Sequence, residues 1–218
     1  MKLNQYIDHT LLKPTATKDD IIRLCLEAIQ YEFYAVCVNS SYIPFAKKHL
    51  SDSKVKLAAV VGFPLGAMDT ESKIYEAEQA VKHGADEIDM VINVGLLKSC
   101  DYLYVRNEIE LIKKAIGDKV LKVILENCYL TKEEIIVASQ LSVNAKADFI
   151  KTSTGFGTGG ATLEDVKLMK EVVCDLAKIK ASGGVKNTED AIEYIKAGAD
   201  RIGTSSGVAI VIGKTQEV

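Results

Sequence analysis

Short apolar and β-branched runs recur along the chain, separated by stretches in which apolar positions repeat with helical spacing. The runs are Ala35-Val36-Cys37-Val38, Leu57-Ala58-Ala59-Val60-Val61, Ile88-Asp89-Met90-Val91-Ile92, Leu121-Lys122-Val123-Ile124-Leu125, Phe149-Ile150-Lys151, Ile179-Lys180-Ala181 and Arg201-Ile202-Gly203. Helical periodicity occupies residues 21–29, 74–81, 109–116 and 135–141. Strands alternating with helices predict a parallel sheet covered by helices. Thr131-Lys132-Glu133-Glu134 reads as a capping box, and Thr17, Thr162 and Thr188 stand in similar places before their helices.

One motif echoes along the chain. Gly84-Ala85-Asp86-Glu87-Ile88 returns as Gly198-Ala199-Asp200-Arg201-Ile202, and more loosely as Lys146-Ala147-Asp148-Phe149-Ile150. Each copy marks a helix end, a turn and a new strand. The spacings equal two and four βα units of about 30 residues. The count reaches eight units if the first strand lies near residues 7–11. Eight such units predict an α/β chain folded as a TIM (β/α)8 barrel, with an open doubly wound sheet as the alternative. No linker interrupts the pattern, so residues 1–218 read as a single domain.

Strand alternation then sorts the side chains. Ile88, Met90 and Ile92 share one face, which suits the surrounding helices, and Asp89 takes the other. By the same parity Lys122 and Glu126 point inward, as do Lys151 and Lys180. One aspartate, one glutamate and three lysines are thus expected in one enclosed space. Lysine and aspartate are rarely buried without partners, so a structural ion-pair network is one reading. Three inward lysines favour another, because positive charge beside a lysine promotes its neutral, nucleophilic amine.

Composition narrows the function classes. The chain has 218 residues, a net charge of −3 and 48% hydrophobic residues, which excludes a disordered tail protein and offers no basic stripe for nucleic acid. No apolar run reaches membrane-spanning length and the N-terminus lacks a signal-peptide pattern, so a soluble, cytoplasmic protein with no membrane partner is expected. The five cysteines, Cys25, Cys37, Cys100, Cys128 and Cys174, form no CxxC pair, and the three histidines have no ligand spacing. Neither a disulfide framework nor a metal site is indicated.

Three glycine- or hydroxyl-rich loops follow the last three predicted strands. They are Thr152-Ser153-Thr154-Gly155-Phe156-Gly157-Thr158-Gly159-Gly160, Ser182-Gly183-Gly184-Val185 and Gly203-Thr204-Ser205-Ser206-Gly207. Barrel enzymes often bind phosphate after strands seven and eight, where bare amides attract anions. Thr154, Gly155, Gly183, Gly184, Gly203, Ser205 and Ser206 are the expected substrate- and phosphate-binding positions.

These segments resemble the deoxyribose-phosphate aldolases, a class I aldolase family. The resemblance rests on Ile7-Asp8-His9-Thr10-Leu11-Leu12-Lys13-Pro14, Val36-Cys37-Val38-Asn39, Val61-Gly62-Phe63-Pro64-Leu65-Gly66 and Glu87-Ile88-Asp89-Met90-Val91-Ile92-Asn93. It continues, in order, through the segments holding Lys122, Lys151, Lys180 and Ser205. It implies reversible cleavage of 2-deoxyribose 5-phosphate to glyceraldehyde 3-phosphate and acetaldehyde, in deoxyribose phosphate catabolism, with neither metal nor organic cofactor. It also implies that Lys151 forms the imine, Lys180 keeps it deprotonated, and Asp89 is the acid/base partner through a water. Asp8, Thr10, Cys37 and Lys122 fall where the family lines its pocket, and a homodimer is common in such barrels.

The chain departs from the family's pattern in two places. Glu126-Asn127-Cys128-Tyr129 replaces a frequent Glu-Thr, and the sequence ends at Gln216-Glu217-Val218, without the C-terminal tyrosine that some members carry. Late proton transfers are therefore expected to proceed without that tyrosine. The alternatives are another phosphate-binding barrel enzyme, such as a transaldolase-like aldolase or an epimerase, and a non-catalytic sugar-phosphate-binding relative.

Overall fold

The computed structural model describes residues 2–213, so the C-terminal Gln216, Glu217 and Val218 lie outside the described residues. The strands are β1 (Ile7–Leu11), β2 (Ala35–Asn39), β3 (Lys56–Val61), β4 (Glu87–Val91), β5 (Val120–Ile124), β6 (Phe149–Lys151), β7 (Lys178–Ser182) and β8 (Arg201–Thr204). The helices between and after them are α1 (Lys18–Gln30), α2 (Ile43–His49), α3 (Thr70–Lys82), α4 (Val94–Lys98), α5 (Tyr102–Ile116), α6 (Lys132–Asn144), α7 (Leu163–Val173), α8 (Thr188–Lys196) and α9 (Gly207–Ile212). Each strand pairs in parallel with its sequence neighbours and β8 pairs with β1, so the sheet closes into a barrel. The open doubly wound alternative is thereby excluded.

The helix starts follow side-chain chemistry. Thr17 with Asp20, and Thr131 with Glu134, form complete capping boxes, and Thr162 accepts the N–H of Asp165. The expected cap at Thr188 is displaced by one residue. Asn187 caps α8, whereas the Thr188 hydroxyl donates to the Ile210 carbonyl at 2.7 Å and ties α8 to α9.

The repeated Gly-Ala-Asp motif has a mechanical role. Gly84, Lys146 and Gly198 sit at positive φ, where each chain leaves a helix. The aspartates that follow, Asp86, Asp148 and Asp200, each accept a backbone N–H from the preceding strand. Their donors are Leu57, Leu121 and Ile179, at 3.0, 2.8 and 2.9 Å. The aspartate N–H groups return the bond to the same residues' carbonyls. The motif thus staples a new strand to its neighbour and sets the register.

Strand alternation divides the interior in two. Val36, Val38, Ile88, Met90, Leu121, Val123, Ile150, Ile179 and Ile202 pack outward against the helices in the main apolar core. Inward side chains stack in tiers drawn from alternate strands, as the barrel's stagger requires. Pairing registers order the tiers from the strand N-termini upward. Glu87 and Arg201 lie lowest, then Asp8, Lys122 and Lys180, then Cys37, Asp89 and Lys151 with Gly203, then Thr10 and Ser182. Cys37, Ala58, Val60 and Leu12 keep one side of the interior apolar. The charged tiers fill the other side.

Candidate active site

At the centre of the barrel, Asp89 accepts from three lysine amino groups. Lys122 donates to Oδ1 at 2.6 Å, and Lys151 and Lys180 donate to Oδ2 at 2.9 and 2.8 Å. Below Asp89, Lys180 also meets Asp8 at 2.5 Å and Lys122 meets Glu87 at 2.5 Å. Arg201 closes the floor, reaching Asp8 at 2.7 Å and Glu87 at 3.4 Å. All of these side chains are buried.

Glu87 and Arg201 were not anticipated as part of the site. Their signal was present, since both share strand parity with Asp89 and Gly203. Glu126 was expected among the lysines and is not there. It follows the end of β5 at φ 56, which breaks the strand alternation, and its carboxylate turns to the loop after β6 instead.

Among the described residues this network holds four cationic side chains, Lys122, Lys151, Lys180 and Arg201, against three carboxylates, Asp8, Glu87 and Asp89. Charge closes only if one cation gives up its proton, because an uncompensated buried charge is costly. The pKa directions single out Lys151. Its burial pushes the ammonium down, Asp89 opposes this, and Lys180 adds to the depression. Lys122 and Lys180 move upward, because their carboxylate neighbours outweigh burial. Burial raises Asp8 and Asp89, but the surrounding cations overcome it, holding Asp8 at about 2 and Asp89 well below the usual carboxylate range. The Cys37 thiol, 4.0 Å from Asp89, is pushed up by burial and remains a thiol.

Lys151 opens upward into a cavity of about 440 Å3 at the C-terminal mouth of the barrel. Thr10, Thr154, Gly155, Gly183, Gly184, Gly203, Ser205 and Ser206, all expected from sequence, line it. Gly183 and Gly184 adopt φ of +86 and +87, which other residues rarely reach. Gly203 must lack a side chain, because a Cβ there would stand 2.3 Å from the Ser182 hydroxyl and 2.9 Å from Cε of Lys180. The two upper loops are knit together, with Ser206 N–H donating to Thr204 Oγ1 at 2.9 Å and that hydroxyl donating to the Val185 carbonyl at 2.7 Å. Lys13 and Lys186 also line this cavity and are exposed, so they bring positive charge to its rim. No spacing rule had marked them.

The site therefore joins a buried lysine inclined to its neutral amine, a carboxylate that bonds both it and a second lysine, and a glycine- and serine-rich rim beneath two cations. Such a set can form an imine with a carbonyl, move protons beside it and hold an anionic tail. No cluster of three or more His, Cys, Asp or Glu among the described residues is arranged to hold a metal ion.

Comparison with known proteins accords with this geometry. The deoxyribose-phosphate aldolase of Thermococcus gammatolerans is 58% identical over 98% of this chain and 96% of its own length. That of Finegoldia magna is 58% identical over 98% of this chain and its full length (100%). Among solved structures, the deoxyribose phosphate aldolase from Aeropyrum pernix, described as a unique tetramer, superposes with a TM-score of 0.88 at 36% identity. That match covers 96% of this chain and 89% of the other. The family model described as DeoC/LacD family aldolase matches residues 2–212, which is essentially the whole barrel with its charged interior and its cavity. By fold, by site and by descent, this chain belongs to the DeoC/LacD aldolase family.

Proposed function

We propose that this chain is a class I deoxyribose-phosphate aldolase, cleaving 2-deoxyribose 5-phosphate reversibly to glyceraldehyde 3-phosphate and acetaldehyde through an imine on Lys151. The observation that carries this is Lys151 itself: a buried lysine of depressed pKa that opens on a cavity whose far rim suits a phosphate.

The unprotonated amine of Lys151 attacks the aldehyde carbon C1, and loss of water leaves a protonated imine. That imine draws electrons from the C2–C3 bond, which a neutral carbonyl does far less well. The C3 hydroxyl gives up its proton as C3 becomes the aldehyde of glyceraldehyde 3-phosphate, and C2 is left as an enamine carbon. A proton returns to C2, and hydrolysis frees acetaldehyde and the amine.

Asp89 and Lys180 are the proton-handling pair in this reading. Asp89 accepts hydrogen bonds from both Lys180 and the reacting amine of Lys151, and so links the two. Asp89 is held strongly ionised, which makes it a weak base on its own, so a water between it and the substrate is the natural carrier. Gly183, Gly184, Ser205 and Ser206 form the phosphate cradle, and Lys13 and Lys186 add charge at its edge. Remote phosphate binding then orients the reacting carbons.

The same reading places the enzyme in the cytoplasm, in deoxyribose phosphate catabolism, and in a homo-oligomer, a dimer in the simplest case. The relative from Aeropyrum pernix is a tetramer, and sedimentation would decide between the two. The decisive experiment incubates the protein with acetaldehyde, reduces with borohydride and maps the adduct by mass spectrometry. A reduced adduct on Lys151 is expected. Efficient turnover with no trappable lysine would sink the proposal.

A further inference from the structure

A buried carboxylate helps to fasten the loop between β6 and α7. Glu126, 3% exposed, takes φ 56 beyond the end of β5 and turns onto this loop. Thr154 N–H donates to its Oε1 at 3.0 Å, and the Thr154 hydroxyl donates to its Oε2. The same hydroxyl oxygen accepts the N–H of Phe156 at 3.0 Å. Gly157 covers the carboxylate closely, since a Cβ there would lie 3.2 Å from Cδ of Glu126 and 2.7 Å from the Cys128 sulfur.

These contacts force a polarity. A backbone N–H can only donate and a carboxylate can only accept. The hydroxyl hydrogen of Thr154 is therefore committed to Glu126, and what Thr154 Oγ1 can still offer the cavity is a lone pair. A phosphate dianion presents acceptors only, so of the substrate- and phosphate-binding roles expected for Thr154 its hydroxyl suits the first rather than the second. A substrate hydroxyl does suit it.

We infer that Glu126 is a positioning residue that sets substrate specificity, by holding the Thr154 hydroxyl as an acceptor toward a hydroxyl of the sugar chain. The inference rests on the aldolase reading above. The C3 oxygen changes from hydroxyl to carbonyl during cleavage and would lose its hydrogen midway. The C4 hydroxyl persists throughout, and it becomes the hydroxyl beside the aldehyde in glyceraldehyde 3-phosphate.

Glu126→Gln tests this without changing shape. The Thr154 N–H keeps the amide oxygen, so the amide NH2 faces Thr154 Oγ1 and pushes the hydroxyl hydrogen toward the cavity, reversing its polarity. The assay condenses acetaldehyde with glyceraldehyde 3-phosphate or with 3-oxopropyl phosphate, which differ only in the hydroxyl. The wild type should prefer the first. In E126Q the ratio of the two kcat/KM values should fall roughly tenfold, while acetaldehyde trapping on Lys151 is retained. Thr154→Val should lose the same preference, and adding E126Q to it should change the ratio no further. An unchanged ratio in E126Q, equal losses on both acceptors, a further loss on top of T154V, or failure to trap the imine would each overturn the inference. If the wild type joins neither acceptor to acetaldehyde, the aldolase reading itself fails and this inference falls with it.

Discussion

β4 is gripped by a buried lysine from each side, and the two lysines are built for different ends. On the helix side, Lys73 of α3 donates to the Val91 carbonyl at 3.0 Å and to Glu108 of α5 at 2.9 Å. Glu108 is held in turn by Thr70 at 3.3 Å. Gly62 seals the pair, because a Cβ there would lie 2.9 Å from Cε of Lys73. On the barrel side, Lys151 donates to Asp89, but it shares that carboxylate with Lys122 and Lys180 and opens on the cavity. Burial depresses both lysines. A lowered pKa therefore does not mark a nucleophile by itself. Lys73 has a carboxylate of its own and is closed off. Lys151 is the surplus cation of a crowded network and can be reached by substrate. That contrast, more than either pKa, separates a structural ion pair from a reactive amine.

The comparison breaks most sharply at Lys151. Replacing it with Met should abolish the borohydride adduct and lower kcat by a factor on the order of 10^4 or more. It also removes the cation that the network cannot neutralise, so thermal unfolding should show no loss of stability. A marked fall in melting temperature would mean that Lys151, like Lys73, is chiefly structural.

Lys180→Leu comes next. It removes a repelling cation and leaves Asp8 and Asp89 less neutralised, and both changes raise the Lys151 pKa. Less amine is then free at neutral pH, so kcat at pH 7 should drop about 10²- to 10⁴-fold. The acid limb of the pH–rate profile should move to higher pH, with partial recovery as pH rises. A limb that stays in place would contradict the assigned role.

The smallest effect on chemistry, though not on stability, belongs to Glu108→Leu. It leaves Lys73 buried without its carboxylate, which costs about 3–5 kcal/mol at neutral pH. Lys73 then binds its proton less well folded than unfolded, so between its lowered folded pKa and the unfolded value of 10.5 stability rises with pH. Urea unfolding at pH 7 and pH 9 should show the deficit shrinking at the higher pH, while imine trapping on Lys151 persists. A constant deficit would mean that packing rather than the ion pair carried the cost.

Much of this contrast could be read before any coordinates. Strand parity alone placed Asp89, Lys122, Lys151 and Lys180 inside the barrel, because side chains alternate strictly along a strand. Lys73 was illegible. It sits within a helix, where a lysine ordinarily faces water, and only the approach of α5 and the bare Gly62 enclose it. Arg201 and Glu87 lay at readable positions, yet the pairing of Arg201 with both Asp8 and Glu87 depends on strands far apart in sequence that meet only through barrel closure.

The sequence by itself determined which face of each strand meets the helices, where most helices begin, and the repeated Gly-Ala-Asp staple. These follow from local periodicity and from side chains bonding to nearby backbone. Tertiary structure alone decided the tier at which each charge sits, since tier depends on strand stagger around a closed barrel. It also decided that Glu126 leaves the lysines for Thr154, because one residue at positive φ ends the alternation on which parity depends. Lys151 was legible as inward-facing from its strand. That it is the cation left without a carboxylate of its own is a property of the assembled network, where four cations and three carboxylates share one enclosed space.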